Sequence, residues 1–345
     1  MQVTTVGLDL AKNIFQVHAV DAGGTVVVRK ALRRSQVISF FDKLAPCLVG
    51  MEACGTSHHW ARELVRLGHT VKLMPPAYVK AYVKRGKTDA ADAEAICEAV
   101  TRPTMRFVPI KSQEQQAALF LHRTRDLLVK QRTQAVNMMR GQLAEFGVII
   151  PQGLDRARTL AQQIVNQTAS LDLPEHGMMM LSILCEQVLA IHEQIRKIER
   201  QIQTLQRSDE VARRLATIPG IGPIGATAFA ASVTDPAQFR SGRQFAAWLG
   251  LTPLQKSSGG KERLGRISKM GDKYLRRLLV IGATALVRQF RSRPDKAPPY
   301  LASLLARKPV RVATVAMANK IARIIWALMT RQETYRVAHT PALAG

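Results

Sequence analysis

An acid lodged in an apolar strand is the strongest constraint in this chain. Asp9 lies within Val6-Gly7-Leu8-Asp9-Leu10, and Glu52 closes a second apolar run, Cys47-Leu48-Val49-Gly50-Met51. Asp89 and Asp92 open a helical stretch from Thr88 to Val100. At about 100° per residue, Ala93, Ile96, Cys97 and Val100 share one apolar face. The same periodicity puts Asp89 in the middle of that face and Asp92 at its margin, with Glu94 and Glu98 turned to water. A buried carboxylate is costly unless paired, hydrogen-bonded or bound to a metal. Thr88 as a helix cap, with Asp89 complementing the N-terminal dipole, would account for one of the acids. Two strand acids and two helix acids together point to a hard-metal site.

These acids belong to the part of the chain that reads as α/β. Strand-like runs occur near residues 3–10, 14–20, 25–29, 47–52 and 70–74, and the turn Asp21-Ala22-Gly23-Gly24 joins the second to the third as a hairpin. Helical stretches follow near 35–44, 57–67 and 89–100. The pattern predicts a mixed sheet with helices packed on it, over residues 1–108. Residues 109–210 read as a long-helix, coiled-coil region. Lys111–Phe146 is helical, Pro151-Gln152-Gly153 breaks it, and a second long helix runs to about Arg207. Leu181, Leu184, Val188, Ile191, Ile195, Ile198, Ile202 and Leu205 form a heptad seam along that second helix. The seam suits an intramolecular hairpin or an oligomerisation coil, and the second is favoured.

Charge singles out the remainder, 211–345. The chain carries 50 Lys and Arg against 25 Asp and Glu, a net +25 and a pI near 10.7. Residues 1–105 contribute +5, 106–210 contribute +2, and 211–345 contribute +18. Such a density predicts a polyanion-binding domain. Its helices fall near 272–290, 300–306 and 310–330. The last is apolar, but Arg311, Lys320 and Arg323 make it a core helix rather than a membrane span. Ile218-Pro219-Gly220-Ile221-Gly222 reads as the Gly-rich turn of a helix-hairpin-helix, with backbone amides suited to one phosphate. The four cysteines lack CxxC spacing and read as reduced core thiols, which argues against zinc and for a cytosolic setting. No signal peptide is recognisable at the N-terminus.

The four oxygen donors favour Mg²⁺ or Mn²⁺. Paired ions of this kind serve phosphodiester displacement. Lys80, Lys84, Arg85 and Lys87 lead into Asp89 as a phosphate-tracking segment. His58 and His59 follow Glu52 closely and read as structural. A second centre lies in a Ser/Gly/Lys loop, Leu254–Ser268, at Gln255-Lys256-Ser257-Ser258-Gly259-Gly260-Lys261-Glu262-Arg263, where Gly neighbours leave a serine hydroxyl uncovered among cations.

Three runs in the first half, Val6-Gly7-Leu8-Asp9-Leu10-Ala11-Lys12, Met51-Glu52-Ala53-Cys54-Gly55-Thr56 and Lys87-Thr88-Asp89-Ala90-Ala91-Asp92-Ala93, resemble the catalytic half of the DEDD transposases of bacterial insertion sequences (the 110/1111 type), relatives of the pilin-gene invertases. The turn at Ile218–Gly222, the run Gln244–Pro253, Ser258-Gly259 and Ile267-Ser268-Lys269 resemble the other half. The resemblance covers nearly the whole chain in order. It implies a resolvase-like RNase H fold in which Asp9, Glu52, Asp89 and Asp92 bind Mg²⁺. It implies Ser258 as the nucleophile, forming a transient phosphoserine link to cut DNA. It further implies a homo-oligomer (dimer or tetramer) whose composite site can draw on different protomers, and an element-encoded guide RNA pairing with donor and target double-stranded DNA. Lys84, Arg85, Lys87, Gly220, Gly222, Lys256, Lys261, Arg263 and Lys269 are the expected nucleic-acid contacts. The expected setting is the bacterial cytoplasm, at the nucleoid, with no membrane partner. Two departures stand out: Cys54 replaces a frequent Thr, and Ser257 offers a second hydroxyl beside Ser258. The rival readings are a junction-resolvase-like nuclease that uses water, and a non-catalytic nucleic-acid scaffold.

Overall fold

A computed structural model describes residues 2–83, 88–169, 171–256 and 263–336. The chain forms two compact units, one ending at Glu114 and the other beginning at Gln115. The first unit is built on β1 (Thr5–Asp9), β2 (Ile14–Val20), β3 (Val26–Arg33), β4 (Leu48–Glu52) and β5 (Thr70–Met74). Its helices are α1 (Val37–Asp42), α2 (Ser57–Arg66), the single turn α3 (Pro76–Val79) and α4 (Asp89–Val100). The strand order is β3-β2-β1-β4-β5. Strands β1, β2 and β3 pair antiparallel, whereas β4 joins β1 and β5 joins β4 in parallel. The β2–β3 turn is set by Asp21, whose Oδ1 accepts from the Gly23 and Thr25 amides at 2.9 Å each.

Alternation along the strands divides the sheet into two faces. Val6, Leu8, Val49 and Met51 are fully buried on one face, in a core with Phe41 of α1 and Trp60 and Leu64 of α2. Thr5, Gly7 and Asp9 of β1, and Leu48, Gly50 and Glu52 of β4, lie on the other, which α4 covers. Helix α4 seats Ile96, Ala99 and Val100 in a second small core with Met74 and Val79.

The second unit is helical. It contains most of α5 (Gln113–Glu145), then α6 (Leu154–Val165), α7 (Glu175–Ser208), α8 (Glu210–Leu215), α9 (Pro223–Ser232) and α10 (Gly242–Trp248). A two-stranded ribbon follows, β6 (Pro253–Gln255) with β7 (Leu264–Ile267), before α11 (Lys273–Ser292), α12 (Pro299–Arg307) and α13 (Val310–Arg331). Two expectations change here. The stretch between Pro151 and Arg207 is two helices rather than one. Gln167 turns with φ 55°, and Pro174 fixes the chain in an extended conformation at the start of α7. The segment Leu254–Ser268, expected as a loop, begins and ends in the paired strands β6 and β7.

All eight seam positions of α7 are buried or half-buried within this one chain. Leu181, Cys185 and Val188 pack with Val136, Met139 and Leu143 of α5 and Ala157, Ala161 and Ile164 of α6. The heptad spacing is therefore met by intramolecular packing. Helix α13 is long and apolar enough to cross a membrane by length and composition. Its Ala318, Ile321, Ala322 and Ile325 are instead fully buried in a core with Phe229, Phe245, Leu275 and Leu279. Among the cysteines, Cys47, Cys97 and Cys185 are buried free thiols, whereas Cys54 is exposed and departs from the expected core position. It sits in the turn between β4 and α2.

Candidate active site

Two glycines bring the acids together. A Cβ on Gly7 would stand 2.1 Å from the Ala93 carbonyl oxygen and 2.5 Å from the Cys97 amide nitrogen. One on Gly50 would stand 2.8 Å from the Val100 Cβ. Only glycine lets the α4 backbone lie this close to the sheet. Asp9 is two residues beyond Gly7, about 6.6 Å along the strand. Asp89 is four residues before Ala93, about 6 Å back along the helix. These matching steps carry the first turn of α4 over the end of β1. Carboxylate oxygens of Asp9, Asp89 and Asp92 accordingly lie within 4.8 Å of one another. Leu8 pairs with Met51 in parallel register, so Asp9 and Glu52 leave neighbouring strand ends on the same face.

The helix face is as the periodicity predicts, but its burial is not. Asp89 is exposed and Asp92 half-buried, because the first turn of α4 overhangs the strand ends instead of lying on the sheet. Asp89 therefore escapes most of the expected desolvation cost. Thr88 also caps the helix, its hydroxyl accepting from the Ala91 amide at 3.2 Å. Glu94 and Glu98 lie outside the cluster and form ion pairs, with Arg29 at 3.2 Å and Arg102 at 2.5 Å.

Electrostatics set the acids of the cluster against one another. Burial and then the charges of Asp92 and Asp89 push the Asp9 carboxyl above its ordinary value. Burial, then Asp9 and Asp92, does the same to Glu52. Like charges about 4 Å apart repel by roughly 1 kcal/mol in water and about 4 kcal/mol where water is partly excluded. A divalent cation removes this repulsion, and an all-oxygen donor set suits a hard one. His58 and His59 serve elsewhere: the His58 ring accepts from the Lys111 amide at 3.2 Å, and His59 lies against Trp60 and Glu63.

The basic candidates divide between described and undescribed positions. Lys84, Arg85, Lys87, Lys261, Ser257 and Ser258 lie outside the described residues. Lys256 and Arg263 flank the serine segment on an exposed ribbon, closed by the Lys256 amide donating to the Arg263 carbonyl at 2.8 Å. Lys269 is exposed and left-handed at φ 55°. The ribbon's base is tightly fixed. A Cβ on Gly271 would meet the Trp248 carbonyl at 1.9 Å, and one on Gly250 the Met270 carbonyl at 2.2 Å. The Arg276 guanidinium donates to the carbonyls of Met270 and Leu249 at 2.7 and 3.0 Å.

The Gly-rich turn links α8 to α9, and its two glycines differ. Gly222 is exposed with open space around it, as a phosphate contact needs. Gly220 has φ 84° and meets α11, where a Cβ on Gly282 would stand 2.0 Å from the Gly220 carbonyl oxygen. That contact is a packing requirement.

Sequence reasoning missed a buried network beneath the start of α11. The Thr227 hydroxyl donates to the Pro223 carbonyl at 2.7 Å, leaving its oxygen to accept from His122 Nε2 at 3.0 Å. His122 Nδ1 then accepts from the Tyr274 hydroxyl at 3.1 Å. Burial, with Arg125 nearby, holds His122 neutral and lowers its pKa to about 4. Arg277 of α11 also pairs with Asp126 of α5. The helix that leaves the ribbon is thus anchored to α5 and α9. No motif spacing reveals a network drawn from residues so far apart in sequence.

The comparisons agree with this architecture. The family described as "Transposase IS116/IS110/IS902 family" matches residues 212–297. The DEDD transposase family of IS110 type, described as "Transposase", matches residues 6–147, which hold all four acids. A Pseudomonas aeruginosa protein named "Probable family 20 transposase" is 52% identical over 97% of this chain and 99% of its own length. The transposase for insertion sequence element IS1328 of Yersinia enterocolitica is 40% identical over 95% of this chain and 97% of its own length. The transposase for insertion sequence element IS1111A of Coxiella burnetii is also 40% identical, over 97% and 92%. The chain belongs to the IS110-type family of DEDD insertion-sequence transposases.

Proposed function

We propose that the chain cuts and exchanges DNA strands with Mg²⁺ held by Asp9, Glu52, Asp89 and Asp92 and with Ser258 as the nucleophile. The convergence of Asp9, Asp89 and Asp92 within 4.8 Å, inside the span matched by the DEDD family, carries this reading. The strand order β3-β2-β1-β4-β5 with α4 across β1 and β4 supports a resolvase-like RNase H fold for the unit. Bound Mg²⁺ would act as a Lewis acid, neutralising charge that builds on the scissile phosphate. Asp9 and Glu52 supply fixed oxygens from the sheet, and Asp89 and Asp92 supply them from the helix.

The Ser258 hydroxyl attacks phosphorus, and the leaving DNA hydroxyl takes the proton. A hydroxyl of the exchanging strand then displaces serine and reseals the backbone. One phosphoester is traded for another at each step, so no external energy source is required. Lys84, Arg85, Lys87, Lys256, Lys261, Arg263 and Lys269 contact phosphates, and the turn carrying Gly220 and Gly222 contacts another. An element-encoded RNA pairs with donor and target DNA, and copies of the chain assemble on it in the cytoplasm.

The test is strand transfer on element-junction DNA, with the adjacent transcript and Mg²⁺. Asp9→Asn and Asp92→Asn should abolish cleavage while DNA binding persists; full cleavage by either variant refutes the metal site. Hydrolysed ends without a protein–DNA link would replace the serine step by attack of water.

A further inference from the structure

A cleft on the helical bundle, apart from the acids and serines of the active site, gathers arginine donors around one histidine. It lies between α6 and α7, has a volume of about 520 Å³, and is lined by Arg158, Gln162, Gln163, His192, Glu193 and Arg196. His192 is held between two guanidinium groups. Arg132 Nη1 of α5 stands 3.0 Å from its Nδ1, and Arg158 Nη1 of α6 stands 3.2 Å from its Nε2. A guanidinium only donates, and a neutral imidazole has one accepting nitrogen. One of these contacts is therefore a hydrogen bond, and the other sets donor against donor.

Neighbouring acids relieve little of this conflict. Glu199 accepts from Arg125 through Oε1 at 2.9 and 2.6 Å, and its charge also reaches Arg132 at the far side of the ring. Asp155 stands 3.6 Å from Arg158 and is almost fully exposed. Among the described residues lining the cleft, Glu193 is the one carboxylate, against Arg158 and Arg196. Burial and then the surrounding arginine charges lower the His192 pKa, as expected for a ring in an electropositive setting. An acceptor placed between the two donors relieves a conflict of this kind.

We propose that this cleft binds a phosphate group, which accepts from Arg158, Arg196 and the His192 N–H together. A phosphate oxygen in the cleft supplies the acceptor that the second His192–arginine contact lacks. The forked guanidinium of Arg158 suits two such oxygens. The phosphate belongs to a nucleic-acid backbone or is free in solution. The first source rests on the chain's reading as a DNA-handling enzyme, whereas the site itself does not.

Thermal denaturation of the full chain, free of divalent metal and at constant ionic strength, tests the site with inorganic phosphate as probe. Arg158→Gln is compared with Arg156→Gln, an exposed arginine of the same helix and the same charge change. Phosphate should raise the midpoint of wild type and of Arg156→Gln. Arg158→Gln should lose that rise while keeping or raising the phosphate-free midpoint, since removing it ends the donor conflict. Arg196→Gln, at the exposed rim, should show a smaller loss without disturbing packed residues. An equal phosphate response in Arg156→Gln and Arg158→Gln overturns the proposal, as does a lowered midpoint with the response intact.

The salt dependence of duplex DNA and RNA binding separates the two sources. A backbone phosphate in the cleft makes the Arg158→Gln log–log slope shallower by about one for the nucleic acid concerned. A lost phosphate response with both slopes unchanged assigns the cleft to free phosphate. Neither readout involves cleavage, so failure of the serine chemistry would leave this result standing.

Discussion

Gly7→Ala should disable the acidic centre without touching any acid. The added Cβ would lie 2.1 Å from the Ala93 oxygen, 2.5 Å from the Cys97 nitrogen and 2.7 Å from the Cys97 Cβ, where ordinary contact begins at 3.4 Å. The two nearest obstacles are helix backbone, so no side-chain rotation relieves the clash. Helix α4 must retreat by roughly 1 Å, and a packed interior does not absorb that freely. Overpacking of this kind costs about 1–3 kcal/mol. The functional cost is larger, because Asp89 and Asp92 move with α4 while Asp9 stays on β1. A misplacement of about 1 Å lowers catalysis by about 100-fold.

The assay measures strand transfer and the Mg²⁺-induced rise in denaturation midpoint, across three alanine variants. Gly50→Ala meets the Val100 Cβ at 2.8 Å, a milder approach than at Gly7 and at the end of α4 opposite Asp89 and Asp92, so its losses should be smaller. Gly55→Ala has open space around it and should behave as wild type. Wild-type activity and Mg²⁺ response in Gly7→Ala would refute the claim that glycine contact positions the acids.

Three further outcomes are expected. Because the folded pKa of Asp9 is raised, its charge opposes folding, and metal-free stability should fall as pH rises through that raised pKa. Asp9→Asn should match or exceed wild-type stability at neutral pH and lose most stabilisation by Mg²⁺; a wild-type Mg²⁺ response in that variant would contradict this. His122 has the opposite linkage, with a pKa lowered from 6.5 to about 4. Its contribution is complete above pH 6.5 and is lost as pH falls towards 4, and a gap of about 2.5 pH units corresponds to roughly 3 kcal/mol. Denaturation of His122→Gln across that range should show a flatter acid limb, and an unchanged limb would count against the neutral network. A thiol reagent should label exposed Cys54 rapidly in the folded protein and leave Cys47, Cys97 and Cys185 protected until unfolding, as mass spectrometry would show.

Local pattern made the first unit legible. The apolar runs around Asp9 and Glu52 became adjacent parallel strands, and the span 89–100 became α4 with its acidic first turn. Side-chain period fixes which residues share a face, so the four acids could be grouped before their distances were known. Their burial could not, since it depends on how far α4 projects past the strand ends. The heptad seam on α7 was equally visible, but its partner was not. A repeat of apolar residues specifies a face to be covered, and here α5 and α6 cover much of it. The His122–Tyr274 link and the His192 cleft were illegible for a related reason. Each joins polar residues from separate helices, and no local periodicity records such a meeting.

A covalent-trapping assay tests the central claim most directly. Wild type, Ser258→Ala and Asp9→Asn would each be incubated with end-labelled junction DNA and its adjacent transcript, with and without Mg²⁺, then denatured. The account predicts a labelled protein–DNA band for wild type with Mg²⁺ alone, absent from both variants. A band that survives in Ser258→Ala, or that forms in Asp9→Asn at the wild-type level, would contradict it.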